Sequence, residues 1–233
     1  MTRGLAIVGH GKMGRLIEQL APEYGFDVRL KLNSGANVGG AGLIRENLRG
    51  TDVALEFSTP SAAVQNIRQL AALGIPVVAG TTGWHQQLPC VRDAVQSSGS
   101  ALVWSPNFSV GVYRFRQIIA QAANAFAAES EYQAWGWEIH HAAKRDAPSG
   151  TLLAVAEEMK QAGFDREINL SATRAGAHPG THEIGFDSSA DTITIRHTAR
   201  SREGFARGAL RAARWIVGKT GVFEFREIVN ELV

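Results

Sequence analysis

Cysteine is nearly absent. Cys90 is the single thiol in 233 residues, which rules out an internal disulfide and a cysteine-rich metal site. That usage predicts a reducing compartment. Long apolar runs are missing too. The first, Leu5 to Val8, is broken at once by GHG; it is too short for a membrane span or a signal-peptide core, and no later segment qualifies. A cytoplasmic protein without membrane contact is the expectation. Charge of one sign is also lacking, with 24 Lys and Arg against 22 Asp and Glu. The basic residues are scattered and form no run interleaved with aromatics, so no nucleic-acid partner is expected. There are no repeats or low-complexity tracts. The rest of the composition, 45% hydrophobic and 20% charged, is that of a globular chain long enough for one large or two small domains.

Through the first half, short apolar runs alternate with helical periodicity. LAIV (5–8), DVRLKL (27–32), DVALEF (52–57), VVA (77–79) and ALVW (101–104) read as strands. Between them MGRLIEQLA, SAAVQNIRQLAALG and HQQLPCVRDAVQSSG read as amphipathic helices, a pattern that predicts a doubly wound, Rossmann-like parallel sheet. After residue 108 the pattern changes. A long helix (112–127), an aromatic strand QAWGWEIHH, a helix (150–162) and three strand-like pieces, INLSATR, HEIGFD and DTITIRH, suggest a smaller α+β domain with an open mixed sheet. The last segment, FARGALRAARWIVG, reads as a helix with no strand partner of its own that packs back on the first domain. The expected division is 1–108 with 203–233 for dinucleotide binding, and 109–202 for substrate binding and oligomerisation.

VGHGKMG spaces Gly9, Gly11 and Gly14 as G-x-G-x-x-G between a strand and a helix, with His10, Lys12 and Met13 interleaved. The first Gly permits a tight turn, the second a close approach of a pyrophosphate, and the third close helix–strand packing. A glycine-rich turn with no ligand is the plainer alternative, but the strand-loop-helix context favours a dinucleotide. Asn33 and Ser34 stand where an NAD-specific site usually places an acid, and Lys31 lies two residues back. Nothing there repels a 2′-phosphate, so NADPH or dual use is expected. FSTP (57–60), GTTG (80–83) and SPNFSVGV (105–112) follow successive strands at the edge where such sheets bind ligands, with Phe108 placed to cover a nicotinamide ring.

EIHHAAKRDAPSGT, Glu138 to Thr151, is the densest chemical stretch. Ser149 is a natural N-cap, and Gly150 and Thr151 open a helix whose free N–H groups suit a carboxylate, with Lys144 adding a positive charge. His140 and His141 face opposite ways if the strand continues through them, so one can meet substrate while the other supports it. Adjacent histidines without a nearby third ligand at a usual spacing are poor evidence for zinc, and PSG is not the G-x-S-x-G elbow of a serine hydrolase. A purely structural role for one histidine stays open.

The pattern E-x-H-H-x-x-K-x-D-x-P-S-G-T resembles the signature of the 4-hydroxy-tetrahydrodipicolinate (dihydrodipicolinate) reductase family, which serves lysine biosynthesis by the diaminopimelate route. GHGKMG, DVALEFSTP, GTTG, PNFSVGV, RAGAHPGTHEIGF and SREGFARGALRAARWIVGK resemble further segments of that family in order. The resemblance implies an NADPH- or NADH-dependent reductase of a small cyclic dicarboxylate. His140 would be the proton donor and acceptor and Lys144 a second donor. His141, Lys144, Ser149, Gly150 and Thr151 would bind substrate. Gly9 to Gly14, Asn33, Phe57, Gly80, Thr81, Thr82, Ser105, Pro106, Asn107 and Phe108 would line the cofactor, with no metal. It also implies a homotetramer joined through the second domain's sheet. The chain departs from the pattern in a glycine loop one residue short, in Ala142-Ala143 for a pair that is often basic, in Pro106 for Ala, and in WGWE for a more acidic lead-in. The rival readings are a related two-domain reductase or amine dehydrogenase acting on another small acid, and a non-catalytic dinucleotide sensor.

Overall fold

The computed structural model describes residues 2–232. The chain begins with β1 (Arg3–Val8), α1 (Lys12–Leu20), β2 (Phe26–Leu32), β3 (Val53–Glu56), α2 (Pro60–Ala72), β4 (Val77–Ala79), α3 (Leu88–Ser97) and β5 (Ala101–Trp104). It continues with α4 (Val110–Phe126), β6 (Gln133–His140), α5 (Gly150–Gln161), β7 (Ile168–Arg174), β8 (Thr181–Asp187) and β9 (Thr192–Thr198), and ends in α6 (Glu203–Ile216), β10 (Gly221–Glu224) and α7 (Phe225–Ile228). These elements form two compact units, Met1–Ser109 with Glu203–Val233, and Val110–Arg202.

The first unit is built on a six-stranded sheet in the order β10-β5-β4-β3-β1-β2, parallel throughout. Its central strands VALE, VVA and ALVW are buried almost completely, as strands covered on both faces must be. Edge strand β2 alternates buried and exposed positions instead. The C-terminal segment differs from the sequence expectation, because it does supply a strand: GVFE pairs in parallel with β5 as the sixth strand. Four residues without a continuous apolar run carry too little periodicity to be read as a strand, and β5 supplies their ladder.

Helix α6 returns to this sheet through a face of small residues, with Ala206, Gly208, Ala209, Ala212 and Ala213 all buried. A Cβ on Gly208 would lie 1.7 Å from the Phe108 carbonyl oxygen. Gly208→Ala should therefore cost at least about 1–3 kcal/mol of stability through overpacking, read as a lowered midpoint in denaturant; an unchanged midpoint would contradict this packing.

The second unit pairs β7-β6-β8-β9 into a mixed sheet, with β6 and β7 parallel and the β6–β8 and β8–β9 pairs antiparallel. Phe115, Ile119, Leu152, Val155, Met159 and Phe186 fill the core formed with α4 and α5. Strict alternation along β6 buries Ala134, Gly136, Glu138 and His140 and leaves Trp135, Trp137 and Ile139 partly exposed on the opposite face. A glutamate and a histidine at the end of a core-facing row require partners. Among the described residues, no helix is long and apolar enough to cross a membrane.

Candidate active site

The glycine loop separates packing roles from an open one. Gly9 has φ +99°, and a Cβ there would sit 2.2 Å from the Phe57 carbonyl oxygen. A Cβ on Gly14 would sit 2.5 Å from the Gly9 oxygen. Gly11, the N-cap of α1, would place its Cβ in space free of protein within 4 Å. Two cavities meet at Gly11. One, of about 440 Å³, is lined by Gly9, His10, Asn33, Ser34 and Asn66 among others. The other, of about 460 Å³, is lined by Lys12, Met13, Phe57, Gly80, Thr81 and Thr82 among others. A glycine that opens onto a helix N-terminus between two clefts fits a pyrophosphate with a nucleoside on either side.

Other expected cofactor residues lie differently. The Phe108 side chain is turned into the core: it is 2% exposed and packs against Phe225 at 4.8 Å and Phe57 at 6.3 Å. Core burial takes a large aromatic ring more strongly than a loop position exposes it. Ser105 is buried and exchanges hydrogen bonds with the Asn107 backbone, and Asn107 Oδ1 accepts from the Ser109 N–H, so this loop is tied to itself; Pro106 is exposed. Lys31 is held by Glu18 of α1 at 2.7 Å, and the same carboxylate meets His10 Nε2 at 2.6 Å. Lys31 and His10 together keep the Glu18 carboxyl below its ordinary value. Glu56, fully buried at the end of β3, is pushed up by desolvation and hydrogen-bonded by Ser58 and Asn66. Glu56 lies within DVALEFSTP and Glu18 on α1, but sequence reasoning gave neither acid a role.

In the second unit, the buried row of β6 ends on Glu138 and His140, and the strand stops there. His141 lies just beyond, half-buried. Glu138 is wholly buried and accepts from the Ser149 N–H at 2.8 Å, from Ser149 Oγ, and from Arg174 Nη2 at 2.7 Å. Burial pushes its carboxyl up, but the Ser149 and Arg174 bonds outweigh that and hold it below the usual range. Ser149 caps α5 as expected, accepting from the Leu152 N–H at 3.3 Å. The helix start at Gly150 and Thr151 is thereby fastened to Glu138, and Gly150 has open space beside it. Lys144 Nζ is half-buried and pairs with Asp146 at 2.8 Å, which keeps the Asp146 carboxyl low.

Two of these partners came from a segment to which sequence reasoning gave no role. His182 lies opposite Glu138 in the β6–β8 register, and Arg174 lies opposite His140 in the β6–β7 register. His182 Nε2 is 3.3 Å from both Ser149 Oγ and Glu138 Oε2, and its ring meets that of His140 edge-on at 5.1 Å. Burial pushes His182 down to about 4, so it is neutral at physiological pH. Burial also lowers His140, against the opposing pull of Glu138. At Gly180, with φ +139°, a Cβ would approach His140 Nε2 to 2.9 Å, so glycine keeps that nitrogen clear.

Glu138, His140 and His182 each bring one possible metal donor atom within 4.8 Å of the others, with His182 contributed by a strand distant in sequence. Both Glu138 oxygens are already hydrogen-bonded, and the Arg174 cation occupies one of them. The oxygen that faces the two imidazoles, Oε2, is taken by the Ser149 hydroxyl, so a metal ion would have to displace that bond beside the Arg174 cation on Oε1.

A parallel sheet with an open glycine at its first strand–helix turn, joined to a mixed-sheet unit carrying a buried imidazole–carboxylate cluster, defines a two-domain dinucleotide-dependent oxidoreductase. Family comparison narrows the class. Residues 4–108 match the model described as "Dihydrodipicolinate reductase, N-terminus", and residues 111–229 the one described as "Dihydrodipicolinate reductase, C-terminus". The 4-hydroxy-tetrahydrodipicolinate reductase of Christiangramia forsetii is 35% identical, with 98% of each chain covered. The chain belongs to the dihydrodipicolinate reductase family. In fold it is similar to the dipicolinate-bound dihydrodipicolinate reductase of Paenisporosarcina sp. TG-14, with TM-score 0.79, 20% identity, and 99% of both chains covered. It is more distantly similar to an amine dehydrogenase of Mycobacterium smegmatis, with TM-score 0.60, 12% identity, and 97% and 96% covered.

Proposed function

We propose that the protein reduces 4-hydroxy-tetrahydrodipicolinate to tetrahydrodipicolinate with NADPH or NADH, in the diaminopimelate route to lysine. The observation that carries this reading is the fixed junction at Glu138, bonded to the start of α5 and set beside a proton-transfer imidazole. A cyclic dicarboxylate needs both: N–H groups and a cation for its carboxylates, and an acid for the ring carbon.

A nicotinamide dinucleotide held by the glycine-loop unit would supply the hydride. Gly9, Gly11 and Gly14 shape the pyrophosphate turn, and Gly80, Thr81 and Thr82 border the cleft on its far side. In the second unit Gly150 and Thr151 offer backbone N–H groups to one carboxylate, with Ser149 fixing their direction from below. Lys144 exchanges Asp146 for substrate, adding charge at the clamp and a second proton source, while His141 contributes to substrate binding. Once the 4-hydroxyl has left as water, taking a proton from the neighbouring ring carbon, hydride adds to the freed position and His140 gives its proton to the carbon beside it. The partly exposed sheet face bearing Trp135 and Trp137 is the surface through which four copies would associate. A lone, exposed Cys90 accords with a reducing cytoplasm.

Titration of dipicolinate, the planar dicarboxylate analogue, against the cofactor-loaded protein tests the substrate class. Saturable binding that weakens in Lys144→Met is expected; absence of binding would contradict the reading.

Cofactor choice has its own test. Asn33 lines the cavity on the His10 side of Gly11, and its Oδ1 accepts from the Ala36 N–H at 2.8 Å. Asn33→Asp sets a carboxylate where a 2′-phosphate would lie and a 2′-hydroxyl could donate. The NADH-to-NADPH ratio of kcat/KM should rise about tenfold, the equivalent of ~1.4 kcal/mol. An unchanged ratio would mean that residue 33 does not face the ribose.

A further inference from the structure

We propose that Glu138 is the positioning residue for His140: its carboxylate, locked by Ser149 and Arg174, receives the inner edge of the imidazolium and directs Nε2 to the substrate. This rests on the reading of His140 as the proton-transfer group, and adds what makes that group work. The motivating observation is an unsatisfied atom. His140 Nδ1 is buried and has no hydrogen-bond partner, a costly state for a polar atom in a protein interior. Its neighbour is Glu138 Oε2 at 3.7 Å, too long for a hydrogen bond. A closure of about 0.7 Å would make one. Such a gap suits a ring that is neutral at rest and draws towards the carboxylate when charged.

The surroundings limit which group can fill this role. Lys144 and Asp146 in the following loop are already paired with each other. Arg174 on β7 carries the same charge as an imidazolium and opposes it. His182 on β8 is neutral and holds Ser149 Oγ and Glu138 in place, with His197 of β9 facing it from behind, itself lowered by burial. Glu138 is the anion left to face Nδ1. Arg174 in turn fixes the carboxylate and tempers its charge, so the two act on His140 in opposite directions.

The proton path follows. The imidazolium transfers its Nε2 proton to the substrate carbon, where the electron pair released by hydride addition forms the new C–H bond. The ring is left neutral with Nδ1–H towards Glu138, and water restores the Nε2 proton. Gly180 leaves Nε2 the space to do this. Because Ser149 binds Glu138 through both N–H and Oγ, one carboxylate sets the distance between the proton donor and the carboxylate clamp.

The experiment is an NMR titration of the protein labelled with 13C at histidine Cε1, with the His140 resonance assigned by its loss in His140→Gln. Beside it runs kcat as a function of pH on the same variants. Removing the anion in Glu138→Gln should move the His140 midpoint, and the alkaline limb of kcat, to lower pH. Removing the cation in Arg174→Met should move both to higher pH. Glu138→Gln should also lower kcat about tenfold or more, a share of the ~10²–10⁴ that proton transfer supplies. Cofactor affinity should stay at the parent value in both variants. If Glu138→Gln does not fold, Arg174→Met carries the test alone. A purely structural role would lower stability without moving the midpoint, and an unmoved His140 midpoint in the folded variants overturns the proposal. Because the NMR midpoint needs no turnover, it separates this outcome from failure of the reductase reading, in which the parent itself would not reduce the substrate.

Discussion

His140→Gln should lower kcat by about 10²–10⁴, the span that general acid–base catalysis supplies, with a smaller change in KM. Glutamine keeps the polar outline of the ring but carries no proton that titrates near neutrality. The environment around it survives the change, because Glu138 is held by Ser149 and Arg174 rather than by His140. Lys144→Met should act differently. It keeps the apolar stem and removes the charge that now faces Asp146, so KM should rise and kcat fall together. Both variants should bind cofactor like the parent, since the glycine loop belongs to the other compact unit. Steady-state kinetics with cofactor titration on the same preparations decides the matter. Parent-like turnover in both would show that neither His140 nor Lys144 carries the proton transfer. Loss of cofactor binding in both would point to misfolding.

Gly11→Ala should abolish most cofactor affinity while leaving the protein as stable as the parent. The added methyl meets no protein atom, so it enters the space that the pyrophosphate needs. At φ −92° it carries no left-handed strain. Gly9→Ala is the contrasting control. Its φ of +99° and the Phe57 oxygen 2.2 Å from a Cβ make it a folding variant, costing about 1–3 kcal/mol in backbone strain alone. Fluorescence titration with NADPH and NADH, beside thermal melts, separates the two effects. Near-parental Kd in a folded Gly11→Ala would show that the loop is not the nucleotide site.

The parallel sheet was legible because its central strands are short runs, apolar but for Glu56, punctuated by glycine and proline. Those features survive any tertiary context. β10 was not, since GVFE becomes a strand only through the neighbour that β5 offers. At the site, the turn and helix signals around Pro148-Ser149-Gly150 gave the N-cap correctly. The partners of Glu138 were hidden, because His182 and Arg174 reach it through strand register across 44 and 36 positions of chain. Periodicity places residues on a face but does not say which strand lies beside it. Lys31 shows the same limit on an exposed edge: its spacing suggested a phosphate partner, and a helix residue thirteen positions earlier takes it instead. The Phe108 ring illustrates a competition that a loop motif does not reveal, in which the core claims the side chain.

The most direct measurement is oxidation of NADPH and of NADH by the purified protein with 4-hydroxy-tetrahydrodipicolinate generated enzymatically in the cuvette, with the product identified by mass spectrometry. Substrate-dependent oxidation with at least one cofactor, yielding tetrahydrodipicolinate and lost in His140→Gln, is the expected result. No oxidation with either cofactor, from a folded protein that binds both dinucleotide and dipicolinate, would contradict the reductase assignment and turn attention to other small acids.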